Sequence, residues 1–186
     1  AAGVTVALGH CDRGDGFKDC VDAGAKSVTH LFNVMGPLHH RDLGPAALAR
    51  EDARVSCPII VDGVHVAATM VRNAFQILGP DRTILVTDAV AAAGMPDGTY
   101  PLAGMSVTKK DGVVRDQKNN LAGSALTMAI AARNFLQTVE TAGEWTLAKI
   151  ASTNPARLIH AAGYGALARD QRAAFTLLGD DGTVRC

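Results

Sequence analysis

Three short apolar runs, each ending near one polar side chain, most constrain how this chain can fold. They are VTVALGH, which ends at His10, SVTHLFN, which contains His30, and TILVTDA, which contains Asp88. Such runs are typical of buried strands, and in α/β proteins the chemistry lies where parallel strands end. Two imidazoles and a carboxylate placed in this way can converge on one metal ion and one water molecule. The pattern predicts a metallohydrolase.

The first half of the chain alternates between strand-like and helix-like segments. Strands are predicted over residues 4–8, 27–31, 55–61 and 83–86. A helix is predicted after Gly63, with one apolar face, and Gly24 and Gly79 are predicted to end helices. That face comprises Val66, Met70, Val71, Ala74, Phe75 and Leu78. This rhythm predicts an α/β fold with parallel strands and right-handed crossovers.

The second half changes in character. Residues 96–120 are predicted to form a β-hairpin insertion, because Asp111-Gly112 is flanked by β-forming residues. A helix is predicted along an apolar stripe from Met128 to Val139, and a second one should break or kink near Pro155. A terminal hairpin is predicted around Asp181-Gly182. No linker composition separates two independent domains.

Composition excludes several classes of protein. Apolar residues make up 48% of the 186, and 18 basic residues balance 18 acidic ones. With 4% aromatic residues and no apolar run approaching a membrane span, we expect neither nucleic acid nor a membrane as a partner. The four cysteines lack the spacing of a secreted scaffold, and no signal peptide is recognisable, so a cytoplasmic protein with reduced thiols is expected. Residue 1 lies inside an apparent strand, so the domain is expected to begin upstream.

Each candidate site residue also has a structural interpretation. His10 and His30 are one strand-helix unit apart and could share a metal ion, although a single histidine at a strand end is more often a core or rim residue. Asp88 could act on a water molecule, or it could cap a following helix. Arg41 could bind a phosphate or carboxylate, or be a solvated surface residue. His65 could contact a ligand, or bond to local backbone.

One further segment is a candidate for binding an anion. Residues 119–124, with the sequence NNLAGS, precede a predicted helix, and their backbone amides could cradle an anion at the N-terminus of that helix.

Seven motifs taken together resemble one known family. They are LGH, THLFNVM, HRDLGP, VDGVHV, LVTDAVAAAG, LAGSALTM and ASTNPARLI, in this order over nearly the whole chain. The combination resembles the N-acetylglucosamine-6-phosphate deacetylases of the amidohydrolase superfamily. The resemblance implies a (β/α)₈ barrel beside a small β-sandwich, a divalent metal ion (zinc, iron or manganese), and hydrolysis of N-acetylglucosamine 6-phosphate to glucosamine 6-phosphate and acetate in amino-sugar catabolism.

The resemblance also assigns roles to residues. His10 and His30 would be the imidazole ligands of the metal, and Asp88 the catalytic acid and base. The sugar phosphate would contact seven further residues, which are Asn33, Val34, Arg41, His65 and the backbone of Leu121, Ala122 and Gly123. Val34 replaces the family's usual alanine, a change that a contact through the backbone amide would tolerate.

Some parts of the family pattern are missing. A complete barrel needs about 250 residues, and this chain resembles its second half only. Residues 1–160 would form the second half of the barrel with the insertion at 96–120, and residues 161–186 part of the sandwich. The family's glutamate ligand and the histidine that assists at the carbonyl would lie upstream. Residues 168–174 depart from the family pattern, in the region where the sandwich would close.

Several alternatives stay open from the sequence. The substrate could be the galactosamine epimer or that of another amidohydrolase. The chain could also be a non-catalytic sugar-phosphate-binding or dimerisation module. Two copies of the half barrel could associate, and the family resemblance itself implies a homo-oligomer. The isolated chain is expected to bind metal weakly and to turn over little substrate.

Overall fold

A parallel sheet organises the first half of the protein. The computed structural model describes residues 3–179 and the backbone of residues 184–185. The strands are β1 (Ala7–Leu8), β2 (Ser27–Val28), β3 (Cys57–Ile60) and β4 (Thr83–Val86). β1 pairs with β2 and β3 with β4, both in parallel, and the amide of Val28 joins β2 to β3 by donating to the Ser56 carbonyl. The predicted parallel order is confirmed.

Three of these strands are shorter than the sequence predicts. Val4 and Val6 are exposed and lie before β1, because apolar character alone does not supply a pairing partner. At the end of β2 the chain leaves the regular ladder, although the Leu31 amide still donates to the Pro58 carbonyl. β3 is buried along its whole length, as is typical of a strand covered on both faces.

Helices connect the strands and cover the sheet. They are α1 (Phe17–Asp22), α2 (Pro45–Glu51) and α3 (Ala68–Arg82). α3 buries Val71, Ala74 and Leu78 on its predicted apolar face, whereas Val66 is buried in the bends that precede the helix. Gly79, with φ of 64°, interrupts α3 before Pro80, so the predicted helix stop is present.

The insertion is an antiparallel sheet with one strand more than a hairpin. Its strands are β5 (Gly98–Leu102), β6 (Met105–Lys110) and β7 (Val113–Asp116). Asp111 and Gly112, with φ of 50° and 78°, form the turn between β6 and β7, which confirms the predicted hairpin. Ala92, Val107 and Val114 form a small apolar core of its own.

The helices of the second half pack against the main core. They are α4 (Met128–Thr138), α5 (Glu144–Ala148) and α6 (Asn154–Leu158), and a π-helical turn (Lys149–Thr153) joins the last two. Instead of the break or kink predicted near Pro155, the structure has this π-helical turn just before the proline. The wider turn lets the helical backbone continue through Pro155, which has no N–H to donate.

The C-terminal part of the chain contains one further pair of strands. β8 (Leu177–Leu178) pairs antiparallel with β9 (Val184–Arg185), as predicted for a terminal hairpin, while its turn at Asp181-Gly182 lies outside the described residues. In the described part of the chain, no helix is long and apolar enough to cross a membrane. Cys11, Cys20 and Cys57 are free thiols.

Candidate active site

Two histidines meet at the ends of β1 and β2. The Nε2 atoms of His10 and His30 lie 3.2 Å apart, and the ring centroids are separated by 5.1 Å. His30 is buried, with 7% of its surface exposed, whereas His10 is exposed. Because β1 and β2 are parallel neighbours, their ends present both rings at the same edge of the sheet. The structure therefore brings together the two residues that the sequence predicts as metal ligands.

The spacing of these two nitrogens fits a shared cation. Two ligand nitrogens at about 2.0–2.1 Å from a tetrahedral zinc ion lie about 3.3 Å from each other. Two neutral Nε2 lone pairs facing each other at 3.2 Å would repel, so a proton or a cation must lie between them. The Nδ1 atom of His30 is buried and has no hydrogen-bond partner among the described residues. The donor set fits a divalent metal ion.

The structure does not add a third ligand. Among residues 3–179, no group of three or more His, Cys, Asp and Glu side chains is arranged to hold a metal ion. A catalytic zinc site typically has three protein ligands and a water molecule. His10 and His30 are therefore a partial site within the described part of the chain.

Asp88 follows β4, and its backbone is fixed while its side chain is exposed. Its carbonyl accepts a 2.8 Å hydrogen bond from the Ser124 amide, and the amide of Val90 donates to the Ser124 carbonyl at 3.0 Å. Asp88 has φ of 52°, and no helix follows it, so the helix-cap interpretation is wrong. Its carboxylate accepts no hydrogen bond from a described residue and is free to act on a ligand.

The Leu121-Ala122-Gly123 segment lies against Asp88. A Cβ atom at Gly123 would come within 2.3 Å of Val90 Cγ1 and 3.1 Å of the Asp88 carbonyl oxygen. The segment precedes α4, as predicted, but α4 begins at Met128 with Thr127 as its N-cap, so the amides of residues 121–123 do not belong to the N-terminus of the helix. The Ala122 amide donates to the Val114 carbonyl, so an anion would have to be bound by other backbone groups of this segment.

His65 forms a close pair with Asp62 after β3. Its Nδ1 lies 2.6 Å from Asp62 Oδ2, and both side chains are largely buried, with 7% and 13% exposed. Burial raises the pKa of Asp62, but hydrogen bonds from the His65 side chain and from the backbone amides of His65 and Val64 outweigh it, so that the pKa lies below its ordinary value. The predicted alternative, a histidine bonded only to local backbone, is wrong.

A cavity of about 230 Å³ joins His65 to the loop that follows β2. Its walls are formed by residues from the two segments that follow β2 and β3: Phe32, Met35, Gly36, Pro37, Leu38, His65, Val66, Ala67 and Met70. Asn33 and Val34 belong to the same loop, where the Asn33 side-chain amide donates to the carbonyls of His30 and Leu31. A larger groove of about 850 Å³ along β5–β7 contains none of the predicted site residues.

Arg41 lies in the loop that follows β2. It is exposed, and its guanidinium makes no hydrogen bond or ion pair with a described residue, although its amide donates to His39 Nδ1. Sequence reasoning did not single out Asp62 or Ser124, which orient His65 and the Asp88 backbone. The D-G-V-H spacing, which lets an aspartate accept the amides two and three residues later, was the available signal for Asp62.

Comparison with known proteins identifies the family. No family model matches the chain. It is 38% identical over 150 residues to a putative N-acetylgalactosamine-6-phosphate deacetylase of Escherichia coli strain K12, covering 80% of this chain and 89% of that protein. It is 36% identical over 167 residues to the N-acetylglucosamine-6-phosphate deacetylase of Lysinibacillus sphaericus, covering 89% of this chain and 43% of that enzyme. The chain belongs to the N-acetylglucosamine-6-phosphate deacetylase family.

Solved structures of this deacetylase family share the fold described above. The Thermotoga maritima enzyme matches with a TM-score of 0.92 and 33% identity, over 98% of this chain and 50% of that one. A Mycobacterium smegmatis variant in which an aspartate is replaced by alanine, solved with N-acetyl-D-glucosamine 6-phosphate, matches with a TM-score of 0.93 and 39% identity, over 98% of this chain and 49% of that one. The chain thus spans about half the length of these deacetylases.

Proposed function

We propose that this chain is the second half of a metal-dependent deacetylase that hydrolyses N-acetyl-D-glucosamine 6-phosphate to D-glucosamine 6-phosphate and acetate. The single observation that carries the proposal is the pair of Nε2 atoms of His10 and His30, 3.2 Å apart at adjacent strand ends, in a chain of this family. The enzymes named N-acetylglucosamine-6-phosphate deacetylase from Lysinibacillus sphaericus and Bacillus subtilis are 36% and 34% identical to this chain.

The proposed chemistry divides among few residues. His10 and His30 would hold a divalent ion (zinc, iron or manganese), which when bound polarises the acetamide carbonyl and the attacking water. The Asp88 carboxylate takes a proton from that water and returns it to the departing amine, as a general base that becomes a general acid. Its exposed position beyond β4 and its lack of a hydrogen-bond partner among the described residues suit this exchange.

The remaining predicted residues would bind the sugar phosphate. We assign this role to Asn33, the Val34 backbone, Arg41, His65 and the backbone of residues 121–123. Arg41 can bind the phosphate at a distance from the acetamide, and that remote binding energy holds the amide for attack. Support comes from the cavity beside His65 and from the packing of Gly123 against the Asp88 segment.

The proposal includes the architecture of the whole enzyme. Residues 1–160 would be the second half of a (β/α)₈ barrel, with the insertion at about 96–120, and residues 161–186 part of a small β-sandwich. The missing ligand would come from the first half, so the isolated chain should bind metal weakly. The proposal also includes a homo-oligomer in a cytoplasmic location, with neither nucleic acid nor a membrane as a partner.

Acetate release tests this function. The chain is assayed alone and with the part of the Lysinibacillus sphaericus enzyme that it does not match, using N-acetylglucosamine 6-phosphate. We expect release only from the combination, and Asp88→Asn should lower kcat by about 10²-fold or more. Asp97→Asn, which changes an exposed turn carboxylate in the insertion, is the matched control and should leave release unchanged.

Two results would contradict the proposal. Full activity of the isolated chain would show that its site is complete. Absence of release from the combination, together with equal cobalt binding by the chain and by its His10→Ala and His30→Ala variants, would refute the assigned site. His39→Ala controls for general loss of an exposed imidazole.

The galactosamine epimer is the second candidate substrate. Relatives named N-acetylgalactosamine-6-phosphate deacetylase, from Escherichia coli O157:H7 and a Shewanella strain, are 37% and 32% identical to this chain. The two sugars differ in the orientation of one hydroxyl group. A ratio of kcat/KM values that favours N-acetylgalactosamine 6-phosphate would select the epimer.

A further inference from the structure

The contacts of Asp62 differ from those of an ordinary turn aspartate. Its Oδ1 accepts hydrogen bonds from the amides of Val64 and His65, each at 2.8 Å. Its Oδ2, the remaining oxygen, lies 2.6 Å from His65 Nδ1. One carboxylate therefore holds both the backbone and the ring of His65. Both side chains are largely buried, with 7% and 13% of their surface exposed.

The protonation of this pair follows from its chemistry. An ionised carboxylate only accepts hydrogen bonds, so a ring nitrogen at 2.6 Å from it must carry the proton. In a neutral imidazole, the proton on Nδ1 leaves Nε2 with a lone pair. His65 Nε2 makes no hydrogen bond with a described residue, and His65 lines the cavity shared with the loop after β2.

We propose that Asp62 is a positioning residue that fixes His65 as the Nδ1–H tautomer, so that the Nε2 lone pair can accept a hydrogen bond from a hydroxyl group of the sugar phosphate in the cavity. This inference rests on the proposed function for the identity of the ligand, but the tautomer itself does not. A ring that is already oriented by a buried carboxylate loses little further freedom on binding. Asp62 would then contribute to substrate affinity without touching the substrate.

Asp62→Asn reverses the polarity of the contact while keeping its shape. The Asn Oδ1 can still accept the two backbone amides, so the turn is preserved. The amide nitrogen takes the place of Oδ2 and donates a proton, so His65 Nδ1 must accept and the ring proton must move to Nε2. A purely structural role for Asp62 would not produce this exchange.

Nitrogen NMR of the imidazole measures the tautomer directly. In the ¹⁵N-labelled chain at alkaline pH, where imidazoles are neutral, we expect Nδ1–H for His65 in the wild type and Nε2–H in Asp62→Asn. Asp97→Asn, whose carboxylate accepts a backbone amide from Asp111, should retain Nδ1–H. An Nε2–H tautomer in the wild type, or the same tautomer in wild type and Asp62→Asn, would overturn the proposal. Since the wild-type measurement suffices, a variant that failed to fold would still leave it falsifiable.

Ligand affinity connects the tautomer to function. In the combined enzyme used for acetate release, Asp62→Asn should raise the KM for N-acetylglucosamine 6-phosphate about tenfold and change kcat much less. If Asp62→Asn lowered kcat about tenfold and did not raise KM, the positioning role would be refuted. Failure of the proposed function would be seen as no release from the wild-type combination, whatever the tautomer, so the two failures are distinguishable.

Discussion

Several of the candidate site residues occupy the left-handed region of backbone conformation. His10, Val34 and Asp88 have φ of 55°, 49° and 52°. Histidine and aspartate tolerate this region better than most residues, whereas a β-branched valine is disfavoured there. Strained backbone of this kind concentrates at functional sites, because the surrounding structure must hold it in place. Here each of the three residues lies in the segment that follows a strand, where the backbone leaves the sheet.

Gly123 is the residue at which close packing and backbone conformation act together. It has φ of 67°, and an added Cβ would lie 2.3 Å from Val90 Cγ1. Gly123→Ala should therefore lower the free energy of unfolding by about 2–4 kcal/mol, from backbone strain and overpacking combined. Chemical denaturation measures this loss.

Gly112→Ala is the matched control for Gly123→Ala. Gly112 has φ of 78°, and an added Cβ would meet nothing within 4 Å. Only the backbone strain remains, so the expected loss is about 1 kcal/mol. Equal losses for the two variants would mean that Gly123 is not packed tightly against the Asp88 segment.

At the scale of elements, single polar side chains connect segments that are distant in sequence. The buried Asn154, at the start of α6, donates to the carbonyls of Pro80 and Thr83 at 2.7 and 2.8 Å. The guanidinium of Arg82 donates to carbonyls at the end of α2, including those of Arg50 and Asp52. Helix periodicity predicts the elements but contains no information on these long-range bonds.

Asn154→Ala should separate α6 from the start of β4. The change leaves two carbonyls without their donor in a buried position, at a cost of about 1–3 kcal/mol each. We expect the free energy of unfolding to fall by about 2–4 kcal/mol. Asn73→Ala, on the exposed side of α3, is the control and should change stability by less than about 0.5 kcal/mol. If both variants lowered stability by a similar amount in thermal denaturation, the Asn154 hydrogen bonds would not be the cause of the loss.

At the scale of the whole molecule, the parallel sheet is unevenly protected. β3 and β4 pair along four residues each and are almost entirely buried, whereas β1 and β2 pair along only two. In β1 itself, Ala7 is exposed and Leu8 is half-buried. The sheet should therefore open first on the β1 side, which carries His10 just beyond its end.

Amide hydrogen exchange tests this order of opening. Amides of Ile59, Ile60 and Leu85 should exchange most slowly, and those of β1 should exchange at least about tenfold faster, since local opening costs less free energy where fewer contacts are buried. Mass spectrometry of peptic fragments resolves the two regions. Equal protection of β1 and β3 would show that the sheet opens as a single unit.

The sequence alone determined the alternation of strands and helices, the parallel order of β1 to β4, the turn at Asp111-Gly112 and the family. These depend on local periodicity, turn chemistry and motif order, all of which are written along the chain. Only the tertiary structure decided that the Nε2 atoms of His10 and His30 lie 3.2 Å apart, that Asp62 holds His65 and that a π-helical turn precedes Pro155. Those outcomes depend on distances and hydrogen bonds between segments, which no local pattern of residues specifies.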